Sequence, residues 1–263
     1  MDLADILADG YHIEFEDDFD VEDLDRAHWL PHYLPHWSSR ERSRALYQIE
    51  DGLLHLLIEE AQAPWCPELD GETRVSSLQT GAFSGEAGST VGQHRFTPGA
   101  VVREAQDALR LYTPRYGLFQ ARARGLADSA CMVSLWMIGF EDRPERSGEI
   151  CVFEIFGRNV RPGSALVGMG VHPFDDPSLD DDFAEVLLPI DVTEFHEYAV
   201  EWAEDHVSFF VDGGHVRTTE QSPSYPMQFM LGIYEFARTD TAGGYPKRFT
   251  VDFLRGYRRQ PSP

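Results

Sequence analysis

"HVSFFVDGGHVRT" (His206 to Thr218) sets two short runs of β-branched and aromatic residues on either side of Asp212-Gly213-Gly214. A turn that tight needs backbone with positive φ, which Asp and Gly supply at low cost, so the stretch predicts a β-hairpin. Similar runs lie along the rest of the chain: "YHIEFEDDF", "ALYQIEDGLLHLLIEE", "GLFQARAR", "MVSLWMIGF", "EICVFEIFG", "EYAVEW", "MQFMLGIYEF" and "FTVDFLRGYRR". Gly, Pro, Asp and Asn separate them, which fits strands and turns rather than helices. "VVREAQDALRLY" (Val101 to Tyr112) alone begins in a helix-like way, while "AQAPWCPELDGET" and the stretch from Arg158 to Pro189 read as long loops. The fold class expected is all-β, a sandwich of two antiparallel sheets. With 263 residues, 42% of them hydrophobic, one domain over residues 1–263 is expected.

The formal net charge of −23 excludes nucleic acid and anionic membrane as expected partners, since binding phosphate requires clustered Lys and Arg. Neutral ligands such as sugars fit. The acidic run "DDPSLDDDF" (Asp175 to Phe183) reads as a solvated loop with no chemistry. Cys66, Cys131 and Cys151 lack the spacing of a disulfide framework or a zinc site. The N-terminal "MDLADILADG" has neither the basic start nor the apolar core of a secretory signal, and no stretch of eighteen apolar residues occurs. The chain as given is expected to be soluble, working inside the cell or after removal of an export segment, so localisation stays open.

"SGEICVFEIFG" (Ser147 to Gly157) carries the chemistry. Alternate residues of a regular strand share a face, so Glu154 would lie with Ile150 and Val152 in the core, opposite Glu149. An unpaired carboxylate there costs several kcal/mol. A one-residue β-bulge near Val152 and Phe153 removes the conflict: Glu149, Cys151 and Glu154 then share one face while Ile150, Val152 and Ile155 face the core. Two carboxyl groups leaning together over a small middle residue can approach the roughly 5–5.5 Å separation of a retaining glycosidase, where one attacks the sugar and the other protonates the leaving oxygen.

The chain resembles glycoside hydrolase family 16, the laminarinase-like group with a concanavalin-like jelly roll and a strand motif Glu-x-Asp-x-x-Glu. The resemblance rests on ordered blocks: "FEDDFD" with "LDRAHW", "DGLLHLLIEE", "YGLFQARAR", "LWMIGF", "FHEYAVEWAEDHVSFFVDGGHVRT" and "FTVDFLRGYRR". It implies a curved jelly-roll sandwich with a substrate groove on its concave side. It also implies a retaining, endo-acting hydrolase of a β-linked polysaccharide, of the β-glucan or galactan class, or a transglycosylase. By the same likeness Glu149 takes the nucleophile position and Glu154 the acid/base position. Cys151 stands where the family has Asp, a departure that keeps open a weakly active or purely glycan-binding protein of the same fold. A thiol is neutral at pH 7 and a weak donor, so Cys151 reads first as a small spacer; a cysteine nucleophile paired with His172 lacks a third orienting group.

Substrate-binding candidates are Trp136 and Tyr234, as sugar-stacking or packing aromatics, His172 in "GVHPF", and Trp37 in the aromatic, Pro-broken "WLPHYLPHWSS". His28, His32 and His36 recur every four residues, but Pro31 and Pro35 argue against a metal-binding helix. Where glucan-cleaving relatives carry a Trp-Pro pair this chain has Met132 and Val133, and where they often carry another Trp it has Pro144. Gly232 replaces an Asn of theirs, so a β-1,3-glucan preference is not implied. The chemistry needs no cofactor. The resemblance implies a structural calcium with Asp252 and the carbonyl of Gly52 as ligands, on the side away from the chemistry. The partner expected is a polysaccharide or oligosaccharide, and the chain is expected to be a monomer.

Overall fold

A computed structural model describes residues 2–236 and 244–259. Two antiparallel sheets form the sandwich expected. The eight-stranded sheet runs Gly214–Thr219, Val207–Val211, His196–Trp202, Gly117–Arg124, Lys247–Arg259, Leu53–Ile58 and Leu46–Glu50, with Tyr11–Asp17 also paired to Lys247–Arg259. The seven-stranded sheet runs Val160–Arg161, Ser164–His172, Glu149–Phe156, Cys131–Gly139, Met227–Glu235 and Arg74–Gln79, with Asp182–Leu188 along the outer side of Ser164–His172. In the hairpin Asp212 (φ 49°) and Gly213 (φ 79°) take the left-handed conformation, and Gly214 already pairs with Val211.

The inner faces of both sheets interdigitate in one core. Val133, Leu135 and Met137 meet Phe119, Ala121, Phe249 and Val251 across the sandwich. A second buried cluster lies on the other face of the seven-stranded sheet and contains Trp136, Cys151, Met230, Tyr234, Tyr33 and Trp65. Loops, not a third sheet, cover that face, which puts the functional side chains at its surface.

Three elements differ from the sequence expectation. The Arg158–Pro189 stretch is mostly strand: Ser164–His172 and Asp182–Leu188 pair in register from Ala165↔Leu188 to Val171↔Asp182. Alternation is hidden there because Gly168 and Gly170 carry no side chain, and the ladder depends on that. A Cβ at Gly168 would meet the Phe183 ring at 2.4 Å, and one at Gly170 the Asp182 carbonyl at 2.2 Å. Val101–Tyr112 forms no helix; only Leu109–Arg110 is regular, paired with Gly81–Ala82. The short helix Leu3–Ala8 was not foreseen, and it seats Leu3 and Ile6 on Leu118, Ala199 and Phe210.

Candidate active site

Glu149–Phe156 is an interior strand, flanked by Cys131–Gly139 and Ser164–His172. Its register slips by one residue on both sides. Leu135 faces Phe153 while Trp136 faces Cys151, and Gly168 faces Glu154 while Gly170 faces Cys151. Val152 is therefore the surplus residue of a β-bulge. Ile150, Val152, Phe153 and Ile155 enter the core, and Cys151 joins Trp136 and Tyr234 on the other face.

Glu149 and Glu154 open into one cavity of about 230 Å³, walled by Tyr33, Trp65, His94, Trp136 and Tyr234. The aromatic wall is internally braced. Trp136 Nε1 donates to the Tyr234 hydroxyl at 3.1 Å. Tyr33 packs edge-on against Trp65 (4.7 Å) and Tyr234 (5.4 Å). The His94 ring lies 4.9 Å from that of Trp136, and its Nδ1 stands 3.8 Å from Oε2 of Glu149.

The electrostatics follow from burial. Glu149 is 4% exposed. Loss of water, then the charge of Glu154, pushes its carboxyl up to about 8, while a hydrogen bond from Cys151 opposes the rise. The Cys151 thiol donates to Glu149 Oε1 at 2.7 Å. Burial and the two carboxylates hold that thiol protonated, well above its ordinary range, which argues against a cysteine nucleophile. Glu154 is also raised by burial, with His172 pulling it back. Burial pushes His94 down to about 4, so the imidazole is neutral.

His172 faces Glu149 directly across the ladder. It is half-buried beside the pair rather than on the cavity wall; Nδ1 meets Asp181 Oδ2 at 3.2 Å and the ring stacks on Phe183 at 4.6 Å. The acidic run thus does reach the two acids, through Asp181, which also adds to the rise at Glu149. Among the described residues, Glu149, Cys151 and His172 bring three metal-ligating atoms together.

The model of "Glycosyl hydrolases family 16" matches residues 111–255, more than half of the chain. The chain belongs to glycosyl hydrolase family 16. A search of curated proteins finds no match. Among solved structures it is similar to a GlcNAcα1-4Gal releasing endo-β-galactosidase from Clostridium perfringens, with 29% identity and a TM-score of 0.82, over 95% of this chain and 63% of that one. The chain therefore spans less than two thirds of that protein's length. Its fold is also similar to the laminarinase catalytic domain of Thermotoga maritima MSB8 (18% identity, TM-score 0.66, covering 96% of this chain and 100% of that one). The endo-β-1,3-glucanase from Pyrococcus furiosus is a third (15%, 0.61, 96% and 96%).

One expectation for this family 16 chain needs correction. Trp37 is not an exposed platform: it is fully buried, and its Nε1 donates to the carbonyls of Gln93 (2.9 Å) and His94 (3.2 Å). The Pro-broken segment folds inward, so Trp37 fixes the backbone that carries His94. At the calcium position Asp252 forms an ion pair with Arg122, and a Cβ at Gly52 would meet Asp20 Oδ1 at 2.9 Å. A guanidinium on the same carboxylate opposes a dication there.

Tyr33, Trp65 and His94 escaped the sequence reading. Tyr33 lies in the segment already singled out for its aromatics, and "APWCP" had the same aromatic and Pro signal around Trp65. "GQHRF" around His94 carried none.

Proposed function

We propose that this family 16 chain is a retaining, endo-acting hydrolase of a β-linked glycan containing galactose. The observation that carries the reading is the placement of Glu149 and Glu154 by one bulge on the floor of one aromatic-walled cavity.

In this reading Glu149 attacks the anomeric carbon as the glycosidic bond breaks, and Glu154 gives its proton to the leaving oxygen. Water then displaces Glu149, with Glu154 taking the water's proton. The chemistry requires one proton on the pair, resting on Glu154 at the moment of attack. Burial raises both carboxyls, that of Glu149 to about 8, and the Cys151 bond is the contact that favours the charge on Glu149. Neighbouring carboxyls share protons, so the proton can rest on Glu154 as Glu149 attacks. Trp136 and Tyr234 offer an apolar face edged by a hydroxyl, as a sugar ring requires.

The galactose assignment rests on the greater likeness to the endo-β-galactosidase than to the glucanases. Met132, in place of the glucanases' stacking pair, lines the cavity and agrees with it. The test is reducing-sugar release from a panel of galactose-containing β-glycans and β-glucans by the wild type and by Glu149→Gln. Cleavage of laminarin in preference to every galactoside overturns the substrate assignment. A wild type no faster than the variant on all substrates, while still binding a glycan, overturns the hydrolase.

A further inference from the structure

Replacing the family's central Asp by Cys puts a soft ligand between a carboxylate and an imidazole. The ligand atoms of Glu149, Cys151 and His172 all lie within 4.8 Å of one another, and Cys151 Sγ is already 2.7 Å from Glu149 Oε1. Zinc bonds of about 2.3 Å to sulfur and about 2.0–2.1 Å to nitrogen and oxygen put tetrahedral ligands roughly 3.4–3.6 Å apart. The Sγ–Oε1 contact is shorter than that range, and the 4.8 Å bound leaves room for it. Adjacent strands fix the three α-carbons, since Glu149 and His172 are direct ladder partners, and side-chain rotation makes up the difference.

The outer shell is also in place. Asp181 Oδ2 lies 3.2 Å from His172 Nδ1; in the tautomer that donates to Asp181, Nε2 is the ligating nitrogen, the carboxylate–histidine arrangement of zinc sites. The ring is stacked on Phe183 and so held in orientation. Glu149 lines the cavity, giving an entry path and room for water as the fourth ligand. An oxygen, a thiolate sulfur and an imidazole nitrogen suit zinc better than calcium or magnesium.

We propose that Glu149, Cys151 and His172 form a binding site for a zinc ion that occupies the glycan-cleaving centre. On binding, the Zn–S bond forms as the S–H bond breaks, and the thiol proton, with any on Glu149, passes to solvent. The bound ion engages the carboxylate assigned to attack, so zinc blocks turnover and a chelator restores it. That consequence rests on the proposed function; the site itself does not.

The test therefore reads metal, not activity. Cobalt(II) added to the full chain should give a thiolate-to-metal charge-transfer band, abolished by zinc. The band should vanish in Cys151→Ser and persist in Cys66→Ser and Cys131→Ser, which remove the other two thiols. His172→Ala should weaken zinc binding by about tenfold or more, measured by competition with a chelator of known affinity. X-ray absorption of the zinc-loaded wild type, which requires no variant to fold, should show one sulfur at about 2.3 Å with nitrogen or oxygen neighbours. A sulfur-free shell, a wild type that takes up no zinc, or wild-type affinity in Cys151→Ser overturns the proposal. A chain that binds zinc in this way yet cleaves no glycan leaves the site standing and the hydrolase refuted.

Discussion

The thiol of Cys151 donates a hydrogen bond to Oε1 of Glu149 from the position where the family motif has Asp. The bond favours the ionised form of Glu149 against burial. Its removal in Cys151→Ala should move the acidic limb of the kcat/KM profile upward by up to about one unit. Cys151→Asp, which adds a charge beside both acids, should also shift the profile upward and raise turnover if the middle position couples to Glu154. pH–rate profiles of the three proteins check this, and coincident profiles would refute the coupling.

Replacing either acid should be severe. Glu149→Gln and Glu154→Gln should each lower kcat/KM on a natural glycan by about 10²–10⁴-fold or more. Glu154→Gln should recover much of the first step on an aryl glycoside whose leaving group needs no proton, whereas Glu149→Gln should not. Steady-state kinetics on the two substrate types separate the roles, and the opposite pattern would exchange them.

Glu141 provides a pH test away from Glu149 and Glu154. Its carboxyl accepts from the His94 amide at 2.6 Å, yet burial pushes it up to about 8. A folded-state pKa above the unfolded value contributes stability that is fully present below about 4.3 and lost as pH rises through about 8. Relative to wild type, Glu141→Gln should therefore gain melting temperature from acid to alkaline pH. The gain should reach at least about 1 kcal/mol above pH 8, roughly 2–4 °C for a chain of this size. Thermal melts at pH 5 and pH 9 measure it, and a constant difference would mean that Glu141 ionises normally.

The aromatic wall of the cavity should fail differently from the acids. Tyr234→Phe strands the buried Trp136 Nε1, a loss of about 1–3 kcal/mol, and removes a polar contact at the cavity. The expectation is a KM raised several-fold with a smaller change in kcat, together with a lower melting temperature. A variant that loses kcat alone would place the tyrosine in the chemistry instead.

Gly170→Ala should be among the most damaging single-methyl changes outside the site. Its Cβ would sit 2.2 Å from the Asp182 carbonyl and 2.6 Å from the Phe183 α-carbon, so the outer strand must move away from the strand that carries His172. Equilibrium denaturation should show a loss of roughly 2 kcal/mol or more. A neutral result would mean that the outer strand yields freely.

How much could be read in the residues depended on whether the signal was local. The strands announced themselves by alternation, and the bulge by a cost: an acid in a core-facing position leaves the chain little other choice. Ser164–His172 was invisible because two of its nine residues are glycines whose missing side chains serve a neighbour. Trp37 pointed to an aromatic feature but not to its direction, since only the fold decides whether a loop turns in or out. His94 and Asp181 reach the acids through tertiary placement, and nothing adjacent to them in sequence records it.

Because Val152 is surplus to both neighbouring strands, the face that Glu149 and Glu154 share depends on a count of residues as much as on their kinds. An in-frame loss of that one codon, which removes no acid, aromatic or cavity residue, would turn one end of the strand over and present Glu149 or Glu154 to the hydrocarbon interior. Substitution scanning is blind to this sensitivity; a series of single-codon deletions from 149 to 156 would expose it.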